Sequence, residues 1–109
     1  MKPNSELLGL LGLAARARAL AIGESACLRG IRSGQVKLVL LATDAGANGS
    51  KKILDKCSFY HIQVARILSR DEIGQAIGRD WRTVVGVTQE QLANRLAELI
   101  ISKGGGEGV

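Results

Sequence analysis

Residues 36–42 read VKLVLLA, a nearly continuous run of β-branched and leucine side chains. A strand with one wet face alternates apolar and polar residues, whereas a strand covered on both faces does not. The run therefore predicts a buried strand with helices on either side. The chain has 109 residues, enough for one core and too few for two.

The flanking patterns supply those helices. Asn4 and Ser5 can cap a helix over about 5–17, with Leu7, Leu8, Leu11 and Ala15 on one face and Arg16 and Arg18 near its end. A short apolar connection is expected at 20–22. Gly23 opens a second helix to about Ser33, and Gly34 stops it. After the central strand, 43–50 is polar and glycine-rich, so it predicts a loop, with Asn48 or Ser50 capping a third helix over about 50–58. IQVARIL at 62–68 predicts a weaker strand. Ser69 with Glu72 forms a capping box for a fourth helix to about Ile77. RTVVGV at 82–87 predicts another strand, and Thr88 with Gln91 a second capping box for a helix to about Ser102. The alternation implies an α/β fold, a three-layer α/β/α sandwich on a short mixed sheet of about four strands. Residues 1–103 are expected to form one domain and 104–109 a flexible glycine-rich tail.

Composition narrows the function. Fifteen Lys and Arg against ten Asp and Glu give a net charge of +5, which favours polyanionic partners. The aromatic side chains are Phe59, Tyr60 and Trp81, too few for a sheet that stacks successive bases. The apolar stretch 7–15 is far short of a bilayer span. Lys2 and the Ala15-Arg16-Ala17 triplet resemble parts of a signal peptide, but Pro3 and Glu6 suit one poorly, so no membrane and a cytoplasmic location are expected. Cys27 and Cys57 stand thirty positions apart with no second pair near either. Reduced thiols are expected, with neither zinc nor disulfide.

Catalytic chemistry is not evident. His61 is the single histidine and reads as a turn residue before a strand, with no nucleophile spaced to pair with it. The stretch from Gly46 to Lys52 lacks the spacing of a phosphate-binding loop. No enzyme, cofactor or metal is expected. On the second helix, Ser25, Arg29 and Arg32 fall at i, i+4 and i+7, along one stripe, while Leu28 and Ile31 point toward the sheet. Gly23 permits close backbone approach at the helix start, where free N–H groups can receive a phosphate. Lys51, Lys52 and Lys56 crowd the start of the third helix, against its dipole, so a nearby anion would relieve them.

The stretch GESACLRGIRSGQVKLVLLATDAGANGSKKILDKC at 23–57, with SRDEIGQAIG at 69–78, resembles the kink-turn RNA-binding ribosomal protein superfamily L-seven-Ae, in particular its small bacterial YlxQ-type branch. The resemblance covers nearly all of 5–101 and implies the same α/β/α sandwich. The family's signature is a glycine followed by Asn-Glu and, three residues after the Glu, a Lys. Gly23 matches the glycine and Arg29 the Lys, while Ser25 and Ala26 replace the Asn-Glu pair and Glu24 stands one residue out of register. The family's Asn and Glu read guanine edges at tandem G·A pairs. Ser25 keeps one hydroxyl for that task and Ala26 has neither donor nor acceptor. The resemblance further implies contacts to bulged nucleotides from the loop Arg66, Ile67, Leu68 and Ser69, with Ile67 and Leu68 packing on a base. Asp44, Lys51 and Lys52 would join them beside Gly23, Glu24, Ser25, Arg29 and Arg32. The expected partner is structured RNA, kink-turn-like or ribosomal, bound without DNA preference by a monomer. The alternative is a protein-interaction or scaffold domain that has lost kink-turn recognition.

Overall fold

A computed structural model describes residues 4–102. The elements are α1 (Ser5–Arg16), β1 (Leu20–Ile22), α2 (Glu24–Arg32), β2 (Leu38–Leu41), α3 (Ala47–Tyr60), β3 (Gln63–Ala65), α4 (Arg70–Ala76), β4 (Val84–Val87) and α5 (Glu90–Ser102). The strands form one sheet in the order β1-β4-β2-β3, with β2 and β3 parallel and the other neighbours antiparallel. This is the mixed four-stranded α/β/α sandwich that the apolar rhythm implies. The domain limit at 103 and the tail at 104–109 lie outside the described residues.

The apolar run at 36–42 sits at the centre because both of its faces are claimed. Leu38, Leu40 and Ala42 pack with Leu7 and Leu11 of α1, Ile73 of α4, and Leu96 and Ile100 of α5. Val39 and Leu41 point the other way, onto Cys27 and Ile31 of α2 and Ile53 and Cys57 of α3. Each such side chain, taken fully from water, contributes about 1.5–3 kcal/mol before entropy is counted. Val36 locks α2 to the sheet. A Cβ on Gly30 would lie 2.5 Å from Val36 Cγ2, and one on Gly86 2.8 Å from it, so bare backbone is needed on both sides of that valine.

Local departures from the sequence reading have physical causes. Residues 20–22 are not a connection but strand β1, which acquires its ladder from β4, with Leu20 opposite Val87. The Asn4 side chain makes no cap bond, because Asn4 is left-handed at φ 66°. Helix α3 begins at Ala47 with Gly46 as its cap residue, so neither Asn48 nor Ser50 caps it, and Ser50 is buried. The Ser69–Glu72 capping box forms in both directions. Helix α5 begins at Glu90, and Ala93 N–H donates to Gln89 O at 2.9 Å, so the cap position is Gln89 rather than Thr88. His61 closes α3 in the left-handed conformation at φ 60°.

Candidate nucleic-acid interface

Sheet register decides which loops meet. Ile22 pairs with Val85, Leu41 with Val84, and Leu40 with Ala65. The ends of β1, β2 and β3 and the start of β4 therefore share one end of the sheet, and the starts of α2, α3 and α4 rise from it.

Gly23 builds the α2 N-terminus with φ 93° and ψ 167°, a backbone conformation that L side chains rarely adopt. Its N–H donates to Val84 O at 3.1 Å, and its carbonyl accepts from Cys27 N–H at 3.0 Å. The amides of Glu24, Ser25 and Ala26 have no intrahelical acceptor, and a glycine cap offers no side chain. They form the positive end of the helix dipole. Ser25, Arg29 and Arg32 are all exposed, whereas Cys27, Gly30 and Ile31 face the sheet. Leu28, expected toward the sheet, is half-buried and lines a groove beside α3.

At the α3 N-terminus Lys51 and Lys52 already have anions from their own chain, whereas Lys56 makes no ion pair among the described residues. Lys51 Nζ donates to Asp55 Oδ2 at 2.9 Å, and that bond holds the ammonium pKa above its ordinary value. Lys52 Nζ lies 3.8 Å from Glu24 Oε1, so Glu24 leans across from α2 to α3. Both pairs are open to solvent and correspondingly screened.

Much of the β3–α4 loop is engaged within the fold. Leu68 is 1% exposed and belongs to the core, which corrects its expected packing on a base. Ile67 is half-buried. Arg66 Nη2 donates to Ala42 O at 3.3 Å, joining the ends of β3 and β2. Ser69 Oγ accepts from Glu72 N–H at 3.1 Å, and Asp44 Oδ1 accepts from Arg70 N–H at 2.9 Å. Beside this loop stands a residue that the sequence reading did not single out. Trp81 is 55% exposed, and the Arg70 guanidinium lies over its ring, 5.1 Å from the centroid. The signal for it was a lone tryptophan among charged residues just ahead of a predicted strand.

The basic residues expected to form one patch are parted by α2 itself. Lys52 lines a groove with Leu28, Asp55, Lys56 and Phe59 on the α3 side. Arg29 lines a different groove with Arg18 and Lys37. Both cysteines are buried beneath α2 and α3. Burial, reinforced by the neighbouring Cys57 charge, pushes the Cys27 thiol up to about 12, and burial pushes Cys57 up to about 11. They are poor nucleophiles and poor metal ligands at neutral pH. Among the described residues no group of three His, Cys, Asp or Glu side chains could hold a metal ion, and no helix is long and apolar enough to cross a membrane.

A mixed four-stranded sandwich with a glycine-started α2 defines a class. Residues 5–97 match the ribosomal protein L7Ae/L30e/S12e/Gadd45 family, and the chain belongs to it. It is 43% identical over 95 residues to RNA-binding protein YlxQ of Bacillus subtilis (strain 168), covering 87% of this chain and 95% of the relative. It is 39% identical over 97 residues to RNA-binding protein YlxQ of Enterococcus faecium, covering 89% and 93% respectively. Among solved structures, a protein of unknown function from Bacillus halodurans superposes with a TM-score of 0.84 at 45% identity, covering 87% of this chain and 96% of that one. The 15.5kD RNA binding protein of Giardia lamblia gives a TM-score of 0.71 at 23% identity, with coverage of 94% and 96%, a likeness of fold.

Proposed function

We propose that this protein binds structured RNA, kink-turn-like or ribosomal, without catalysis, as a cytoplasmic monomer. One observation carries the reading. The uncapped N-terminus of α2, with exposed Ser25 and Arg29 on its first turns, opens at the same sheet end as Ile67 and the exposed Trp81. Free amides and Arg29 are suited to phosphate, and Ile67 with the Trp81 ring offers an apolar rest for an unstacked base. The names carried by the Bacillus subtilis and Enterococcus faecium relatives agree with an RNA ligand.

Specificity for the tandem G·A pairs of a kink-turn is reduced in this reading. Ala26 has no polar side-chain atom, and the nearest carboxylate, Glu24, is turned toward Lys52. The same two facts favour the alternative, a protein-interaction domain that no longer recognises kink-turns. Filter binding to a kink-turn RNA, and to a copy lacking the G·A pairs, at two salt concentrations separates the readings. RNA binding that weakens with salt and differs little between the two RNAs is expected. Absence of salt-dependent binding to either RNA would leave the scaffold reading.

A further inference from the structure

We propose that the groove between α2 and the edge strand β1 is a second contact for the phosphate backbone of the bound RNA. The inference rests on the RNA-binding reading and extends its footprint to the opposite end of the sheet. The open groove, about 840 Å³, is lined by Arg18, Arg29, Ser33, Gln35, Lys37 and Thr88, with Leu20 and smaller alanines and glycines between them. Three elements supply the three cations: the α1–β1 turn, α2 itself and the segment ahead of β2. No carboxylate lines the groove, and among the described residues none of the three makes an ion pair. Lys51, Lys52 and Arg70, at the opposite end of the sheet, each have a carboxylate within 4 Å.

The cations stand on fixed backbone. Arg18 N–H donates to Ala15 O at 3.1 Å, and the neighbouring Ala19 N–H donates to Ala14 O at 2.9 Å. Lys37 N–H donates to Val87 O at 2.7 Å, and Lys37 Nζ to Gly34 O at 2.9 Å, which holds the ammonium over its own turn. The backbone positions of Arg18 and Lys37 are therefore set at the groove, and α2 carries Arg29 between them. The lining itself distinguishes ligand classes. A pocket of this volume for a small organic molecule is normally enclosed and rich in aromatic side chains. This groove is open and has no aromatic lining, while its hydroxyl and amide groups suit phosphate and ribose oxygens. Arg29 connects it to the α2 N-terminus. A backbone entering at Gly23 and leaving at Lys37 would follow the whole of α2, about 13 Å.

The test uses the full chain and one kink-turn RNA. Affinity is measured across a salt series for wild type, Arg18→Gln with Lys37→Gln, Arg29→Ala, and Arg79→Gln with Arg95→Gln as a charge-matched control. Melting curves establish that each variant is folded, and Arg18→Lys with Lys37→Arg is the charge-retaining version. The Arg18/Lys37 variant should flatten the log–log salt slope by about two units, the control by much less, and the charge-retaining version not at all. A wild-type slope in the Arg18/Lys37 variant, with Arg29→Ala still impaired, would overturn the groove while leaving the proposed function intact. Equal losses in the variant and the control would overturn it in favour of net charge. Failure of wild type to bind the RNA would overturn the proposed function, and this inference with it.

Discussion

The N-termini of α2 and α3 rise side by side from one end of the sheet, each started by a glycine and each followed by basic residues, yet they offer a ligand different things. At α3 the ammonium groups of Lys51 and Lys52 face Asp55 and Glu24. At α2, Arg29 has no such partner among the described residues, and the first amides are uncapped. Proximity of basic residues in sequence is therefore a poor guide to available charge. What matters is whether the fold brings a carboxylate to them, and here one of the two carboxylates comes from the other helix.

The largest expected effect sharpens the α2 side. Ser25→Asn with Ala26→Glu, at a helix start that tolerates both, should raise the preference for a kink-turn RNA over one lacking the G·A pairs by at least about ten-fold. That scale follows from roughly 1–3 kcal/mol per polar contact to a base edge, by analogy with groove readout in DNA. Filter binding of wild type and double variant to both RNAs checks it. Strong discrimination by the wild type would mean that Glu24, the β3–α4 loop or backbone groups already read those pairs.

A comparable but sequence-independent loss is expected at the neighbouring loop. Trp81→Ala should weaken binding of an RNA with a bulged nucleotide by about 1–3 kcal/mol, the scale of one base–aromatic stack, and leave a fully paired duplex unaffected. Equal losses on both RNAs would assign Trp81 to packing with Arg70 alone.

A smaller effect concerns stability, through the thiols beneath the same two helices. Cys27 and Cys57 are raised to about 12 and about 11 from an ordinary 9.0. Above pH 9 the unfolded chain therefore releases thiol protons that the folded chain keeps, and the unfolded state binds fewer protons. Stability is unaffected by these groups below that range and falls as pH rises through it. Urea melts between pH 8 and about 10.5 should show the decline, and Cys57→Ala should remove part of its slope. At neutral pH, Cys27→Ser should cost roughly 1–2 kcal/mol through packing, with RNA affinity little changed.

How far these regions were legible in the sequence follows from the range of the interactions. The run at 36–42 and the Ser69–Glu72 box are local, so pattern alone located β2 and the start of α4. Strand β1 was not legible, because a three-residue strand has too few side chains to show a period and takes its identity from β4. Gly23 and Arg29 could be read as a spacing on one helix. The Glu24–Lys52 pair joins residues 28 positions apart, and the Arg70–Trp81 stack crosses from α4 to the segment ahead of β4. Leu68 ends the stretch IQVARIL, whose last residues could have been surface or core, and its contact with the α1–α5 layer decided the matter.

We propose that RNA is held at the free amides and unpaired Arg29 of α2 and not at Lys51 and Lys52, the paired lysines of α3. The most direct test is the salt dependence of affinity for one kink-turn RNA, compared between Arg29→Ala and Lys51→Ala. Arg29→Ala should flatten the salt slope by about one unit or less and weaken binding on every RNA sequence tried. Lys51→Ala, which removes an ammonium already engaged by Asp55 at 2.9 Å, should affect slope and affinity less than Arg29→Ala. Equal losses from the two substitutions, or a larger loss from Lys51→Ala, would contradict the account.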